Sequence, residues 1–314
     1  MKRLRLAAIT ALIALIALIL GVGATLAGPS DDVRAALLRG DYASALRMLL
    51  PIAQAGNAQA QEDLGEMFWF GRGTMQDHAE AVKWLRLSAA QGKVKSQILM
   101  GDAYAFGQGV LRDYSEAVKW YRQAAEQGAA LGQFRLGSMY LTGRGVAQDY
   151  VEALKWYRLV AEGGSAASTK AQYGLGTMYA AGRGVPRDYV EALKWFRLAA
   201  ESGDVDAQQR VGAIHANGLG VPQDDVEALK WYRLAAERGH TLAQVGVGSA
   251  YLSGKGVRPD QVRGYMWVDL AAAAGDAEAE KIRERLVRSL TPTQLAEAKQ
   301  LARACQERKF KGCD

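Results

Sequence analysis

Leu131-Gly132-Gln133-Phe134-Arg135-Leu136-Gly137-Ser138-Met139-Tyr140, then Gly143-Arg144-Gly145-Val146, then Asp149 through Gly164, is the stretch whose reading decides the fold. Leu136, Met139 and Tyr140 fall at helical spacing and lay one apolar stripe along a first helix. Gly143 and Gly145 end that helix, because glycine accepts the left-handed backbone that a helix exit uses. Asp149, with Glu152 three places on, has the form of an N-terminal capping box with aspartate in the capping position. Ala153, Trp156, Tyr157 and Val160 or Ala161 then mark the buried stripe of a second helix, which Gly163 and Gly164 stop. One unit is a helical hairpin.

The hairpin recurs. Trp84, Trp120, Trp156, Trp195, Trp231 and Trp267 are separated by 36, 36, 39, 36 and 36 residues. A glycine ladder (Gly65, Gly101, Gly137, Gly176, Gly212, Gly248) has the same steps, including the single 39. Such a period belongs to stacked supersecondary units, each too small to bury its own apolar face. Aspartate–glutamate pairs open the second helix at Asp77/Glu80, Asp113/Glu116, Asp188/Glu191 and Asp224/Glu227, and the last unit has Asp260/Arg263 instead. A glycine inside a helix costs about 1 kcal/mol against alanine. Six of them, each preceded at five residues by a small residue (Ala60, Ser96, Gly132, Ala171, Ala207, Ala243), imply helices in close approach. The tryptophans are expected to be the chief plugs between helices, each worth about 3–5 kcal/mol against alanine when well buried.

Ala171-Gln172-Tyr173-Gly174-Leu175-Gly176-Thr177-Met178-Tyr179, Gly182-Arg183-Gly184-Val185-Pro186 and Asp188-Tyr189-Val190-Glu191-Ala192-Leu193-Lys194-Trp195-Phe196 resemble the Sel1-like repeat family. That family is related to the tetratricopeptide repeats and has a longer loop inside the hairpin. The resemblance covers about residues 57–276, as six repeats. It implies an all-α, right-handed α-solenoid whose first helices line a concave face, acting as an adaptor or scaffold for a protein or peptide partner. Several bacterial members are exported and act in the envelope, in signalling or polysaccharide control. Asp41 to Gly56 reads as a worn second helix, making 28–56 an N-terminal cap. The stretch to Leu290, the break at Thr291-Pro292 and a helix from Thr293 make 277–314 a C-terminal cap, since the open ends of a solenoid need polar covers.

Residues 1–27 have a different character. Lys2, Arg3 and Arg5 precede an uncharged apolar run from Leu6 to Leu20, and small residues follow. This is the order of a secretory signal, cleaved after Ala24 or Ala27. Leu6 to Ala27 is also long enough to stay as a membrane anchor. The expected location is periplasmic or secreted, or anchored in the inner membrane with the repeats outside the cytoplasm. Membrane contact is expected only through this segment. Loss of its three basic residues lowers the formal charge from +6 to +3, which leaves no electrostatic footprint for nucleic acid. The two cysteines, Cys305 and Cys313, either close a small loop in an oxidising compartment or stay as separate thiols. Their spacing is not that of a C-x-x-C redox motif.

No catalytic residue, cofactor or metal is expected. The Gly-x-Gly loops lack the strand and signature order of a phosphate cradle and read as turns. His215 takes a slot held elsewhere by Phe68, Tyr104, Tyr140, Tyr179 and Tyr251, and no zinc spacing occurs among the histidines. Cysteine-rich relatives associated with β-lactam binding or hydrolysis carry a cysteine pair in each repeat. Here both cysteines lie outside the repeats, which counts against an envelope hydrolase. A structural spacer is the other alternative.

The informative positions are those one, four and five residues after the ladder glycine, which should face the groove. They are Glu66, Trp69 and Phe70 in the first unit and Asp102, Ala105 and Phe106 in the second; later units are small and neutral. Glu66, Trp69, Phe70, Asp102 and Phe106 are the candidate contacts, aromatics as anchors and carboxylates favouring a basic partner. The competing reading packs Trp69 and Phe70 against the N-terminal cap. The insertion at Ser165–Thr169 is either a lengthened loop or a hinge.

Overall fold

The computed structural model describes residues 29–313; the expected leader, 1–27, lies outside them. The described residues form sixteen helices and no strand. The fold is an α-solenoid of stacked hairpins, and the chain divides into two compact units, Met1–Asp113 and Tyr114–Asp314. Unit 1 holds α1 (Pro29–Arg39), α2 (Tyr42–Gln54), α3 (Ala58–Phe70), α4 (His78–Ala90) and α5 (Val94–Phe106). Unit 2 opens with α6 (Tyr114–Glu126), α7 (Ala130–Thr142), α8 (Tyr150–Glu162), α9 (Ser168–Ala181), α10 (Tyr189–Glu201) and α11 (Val205–Asn217). It continues with α12 (Asp225–Ala236), α13 (Thr241–Ser253), α14 (Gln261–Ala273), α15 (Ala277–Ser289) and α16 (Pro292–Glu307).

In unit 1, α2 is the worn second helix, capped by Asp41 through the Ser44 amide (3.1 Å). It has a partner, α1, that the sequence reading did not contain; only Gly40 and Asp41 join the two. Val33, Ala36, Ala45, Leu49 and Ala53 of this hairpin share one core with Ala60, Leu64 and Met67 of α3. The first repeat is thereby covered on its N-terminal side.

The packing reason for the ladder glycines is present, but the tryptophans do not supply it. A Cβ on Gly137 would lie 2.8 Å from the Tyr157 ring, on Gly176 2.7 Å from Phe196, and on Gly212 2.7 Å from Tyr232. The plug is the residue after the tryptophan. One residue is 100° around a helix, so the two neighbours cannot both face the ladder. Trp84, Trp120, Trp156 and Trp195 lie half-buried along the flank, and only Trp231 and Trp267 are buried. Tyr157 also abuts Gly174 (2.8 Å to its would-be Cβ), so its ring sits between two first helices that both carry glycine there.

The capping also differs from the box. Asp77, Asp149, Asp188 and Asp224 accept backbone N–H groups as caps should. The glutamates do not reach back; each pairs with the lysine three residues on, as in Glu80–Lys83 (2.6 Å) and Glu152–Lys155 (3.2 Å). The Trp84 and Trp231 indoles donate to the same glutamates at 3.1 and 2.7 Å. A reciprocal box occurs at Thr291/Gln294, where Pro292 starts α16 one residue earlier than expected, the first-turn place where proline's missing N–H does no harm.

Two recurrent bonds tie each repeat to its predecessor. Gln61, Gln97, Gln133, Gln172, Gln208 and Gln244 each donate to a carbonyl at the end of the preceding second helix, from Ala53 (3.0 Å) to Ala236 (3.4 Å). Most of these carbonyls also accept the amide of the turn glycine just past the helix, as from Gly56 to Ala53 (3.0 Å) and from Gly239 to Ala236 (2.9 Å), so the glutamine adds a second bond from the next repeat. Arginines of second helices donate to tyrosine hydroxyls of the next first helix: Arg86 to Tyr104 (2.9 Å), Arg122 to Tyr140 (2.7 Å), Arg158 to Tyr179 (2.5 Å) and Arg233 to Tyr251 (2.9 Å). His215 fills the same slot and lies 3.4 Å from Arg197 Nη2, a substituted member of this staple.

The insertion at 165–169 is a pinned loop inside unit 2. The Ser165 amide donates to Ser168 Oγ (2.8 Å), whose hydroxyl donates to the Val160 carbonyl (2.7 Å). At the far end, Cys305 and Cys313 are joined by a disulfide with Cα atoms 5.3 Å apart. Both pack with Leu229, Val247 and Trp267, and Phe310 lies against Gly239.

Candidate functional site

The first helices of the repeats carry the residues that vary, and each unit presents its own set. In unit 1 the face is built from α3 and α5. Glu66 and Phe70 are one turn apart on α3, and Asp102 and Phe106 are one turn apart on α5, so each pair shares a side of its helix. An ion pair from Glu66 to Lys95 joins the two helices. Burial pushes the Glu66 carboxyl above its ordinary range, opposed by the hydrogen bond and charge of Lys95. Asp63, one turn earlier, is likewise raised by burial, with an opposing hydrogen bond from Gln59 (2.9 Å). Beneath them Glu62 is buried and accepts from the Ser96 amide (3.2 Å) and hydroxyl (3.0 Å).

The five candidate residues do not share one role. Phe70 is 48% exposed and Phe106 61% exposed, at equivalent places 36 residues apart. The Arg72 guanidinium lies 5.1 Å from the centre of the Phe70 ring. Trp69 is only 6% exposed. Its ring meets His78 edge-on at 4.6 Å, within its own hairpin. The Trp69 carbonyl accepts from Gln76 (2.8 Å). Asp102 is half-buried.

In the fourth and fifth repeats, within unit 2, the same positions are small, and the face opens into cavities. One of about 350 Å³ lies between α9 and α11, and one of about 490 Å³ between α11 and α13. The sequence reading treated small residues there as absence of a site. It missed these openings because a cavity depends on the side chains that surround a position, here Phe196 and Tyr232 from second helices. The glutamine and arginine–tyrosine bonds were also missed, although both leave a trace as residues at fixed offsets from the ladder glycine.

Among the described residues no group of three or more His, Cys, Asp or Glu side chains could hold a metal ion. No helix among them is long and apolar enough to cross a membrane.

The Sel1 repeat profile matches residues 58–93, 94–128, 130–165, 169–204, 205–240 and 241–276. Among solved structures, the chain is similar to a Sel1 repeat protein from Oxalobacter formigenes, with 32% identity and a TM-score of 0.66, covering 77% of this chain and 96% of that one. It is also similar to c5321, a protective antigen of uropathogenic Escherichia coli strains with an SLR fold. That match has 29% identity and a TM-score of 0.34, covering 87% of this chain and 81% of that one. No curated protein matches the chain. Six consecutive matched repeats, with the glycine ladder and hairpin loops that build them, make the chain a member of the Sel1 repeat family.

Proposed function

We propose that this chain is an exported, non-catalytic scaffold that takes a protein or peptide partner on the first-helix face of unit 1. Sel1 repeat proteins generally mediate protein–protein interaction as scaffolds. The observation that carries the finer reading is the pair Phe70 and Phe106. Two large aromatic side chains stand exposed in register, where later repeats have Thr142, Ala181, Asn217 and Ser253. Exposed aromatics beside charge are what interface anchors are made of. Glu66 and Asp102 favour a basic segment, and Trp69 backs the face from beneath. Export is supported by the leader-like 1–27 and by the disulfide, which persists in oxidising compartments. An envelope role in signalling or polysaccharide control follows from the family resemblance.

The test is photo-crosslinking in the source cell with p-benzoylphenylalanine at position 106. The expected result is a discrete adduct that disappears in the Phe70→Ala background and is not formed from a probe at position 253. An adduct indifferent to Phe70, or formed equally from position 253, puts the partner elsewhere.

A further inference from the structure

The cavities on the first-helix face at α9/α11 and at α11/α13 are one site built twice. All but one of the positions lining the first recur 36 residues later lining the second. Ala180 becomes Ala216, Phe196 becomes Tyr232, and Ile214 becomes Ala250. In each, two neighbouring first helices form the walls and an aromatic ring of the intervening second helix forms the floor. Leu141 shows why the openings lie here. It holds the equivalent place in the third repeat and packs against the core around Leu154 and Met178. Alanine at 180 and 216 leaves that space empty.

The rims are not neutral. Arg210, exposed on the central helix α11, lines the first socket, and Lys255 lines the second. Among the described residues no carboxylate pairs with either cation. No acidic side chain lines the first socket; Asp225 lines the second and accepts from Gln223 (3.0 Å). Leu242, 56% exposed, adds apolar surface at the second. Both volumes lie in the range of about 300–1,000 Å³ used for small-ligand recognition.

We propose that α9, α11 and α13 form a second binding site, for an extended acidic–apolar peptide. Two apolar side chains three residues apart enter the two sockets, and a carboxylate between them pairs with Arg210. The spacing follows from helix size: side-by-side helices stand about 10 Å apart. A polyproline-type chain rises about 3.1 Å per residue with three residues per turn, so residues i and i+3 face the same way about 9 Å apart. The site stands independently of the unit 1 face, with which it shares no helix.

The probe is a fluorescein-labelled peptide with the core Leu-Asp-Pro-Leu, titrated with the full chain by fluorescence anisotropy. A control peptide has Lys in place of Asp. Ala180→Leu/Ala216→Leu fills the sockets with the side chain that repeats three and six already carry there, as Leu141 and Leu252. This variant should weaken binding about tenfold or more, since each socket then loses the burial of one apolar side chain. Arg210→Gln, at an exposed position, should weaken it about three- to fivefold, as expected for loss of a solvent-exposed charge pair. The lysine control should bind more weakly than the acidic peptide. Phe70→Ala/Phe106→Ala should leave binding unchanged. The proposal is overturned by absence of saturable binding, by socket-filled protein that binds like wild type, by equal binding of the control, or by loss in the Phe70/Phe106 variant.

Discussion

The first-helix faces of the two units use one scaffold to opposite effect. In unit 1 the positions after the ladder glycine are large: Phe70 and Phe106 project, and Glu66 and Asp102 lie beside them. In unit 2 those positions are Ala180, Ala181, Ala216 and Ser253, and the face recedes into sockets floored by Phe196 and Tyr232. At these positions one face offers knobs and the other offers holes, with Glu66 paired to Lys95 on the first and Arg210 and Lys255 on the second. The side-chain bonds of the framework beneath are the same in both: glutamine to helix end, arginine to tyrosine, aspartate cap to amide. Repeated residues therefore report packing, and unrepeated ones report what each face is shaped to meet.

The largest expected effect separates the units within the tryptophan ladder. Trp267, in unit 2, is fully buried, whereas Trp84, in unit 1, is half-buried. Trp267→Ala should cost about 3–5 kcal/mol, the range for a filled core position. Trp84→Ala should cost about half as much or less, because transfer from water contributes only for the covered part of the ring. Chemical denaturation of both variants checks this. Equal losses would mean that the ladder carries the core after all.

Next come positions where the units should behave alike. Gly109 in unit 1 and Gly145 in unit 2 both have positive φ (72° and 69°). A Cβ on either would collide with a carbonyl of the preceding second helix, His78 or Tyr114. Alanine there combines a left-handed backbone, about 1–2 kcal/mol, with overpacking of about 1–3 kcal/mol. Both variants should lose about 2–5 kcal/mol in thermal or denaturant unfolding, within error of each other. A loss at one and not the other would show that the two units do not share a scaffold.

The equivalence of the repeats was legible because it rests on residues that recur: glycine at the ladder, Gly-x-Gly at the hairpin, aspartate at the cap. The plug was misassigned because periodicity identifies a buried stripe without saying which of two adjacent aromatics faces the neighbouring helix. Trp156 and Tyr157 recur equally well, and only the geometry at Gly137 and Gly174 separates them. α1 went unread because its joint to α2 lacks the Gly-x-Gly loop by which the other hairpins announce themselves. The faces were half-legible. Exposed aromatics at Phe70 and Phe106 can be read from phase, but a socket at Ala180 is a property of three helices and has no letter of its own. Trp69 shows the converse: phase put it on the face, while the fold turns its ring onto His78.

The smallest expected effect is a titration confined to unit 1. Glu66 and Asp63 have carboxyls raised by burial, and the places after the ladder glycine in unit 2 hold Ser138, Thr177, Ala213 and Ser249 instead. A carboxyl whose folded value lies above its unfolded one, about 4, binds its proton more tightly in the folded chain. Stability must then fall as pH rises through the window between those two values, and recover as pH is lowered again. Lys95 limits the loss by pairing with Glu66, although its side chain is 60% exposed, and such pairs are worth about 0–1 kcal/mol. Hydrogen exchange of α3, corrected for the intrinsic effect of pH, should therefore show protection declining modestly from the carboxylate range toward neutrality. Glu66→Gln should flatten that decline, and α13 should show none in either protein. Protection in α3 that rises with pH, or parallel profiles in wild type and Glu66→Gln, would mean that Lys95 compensates the buried charge fully. The acidic face of unit 1 would then be as insensitive to protons as the small-residue face of unit 2.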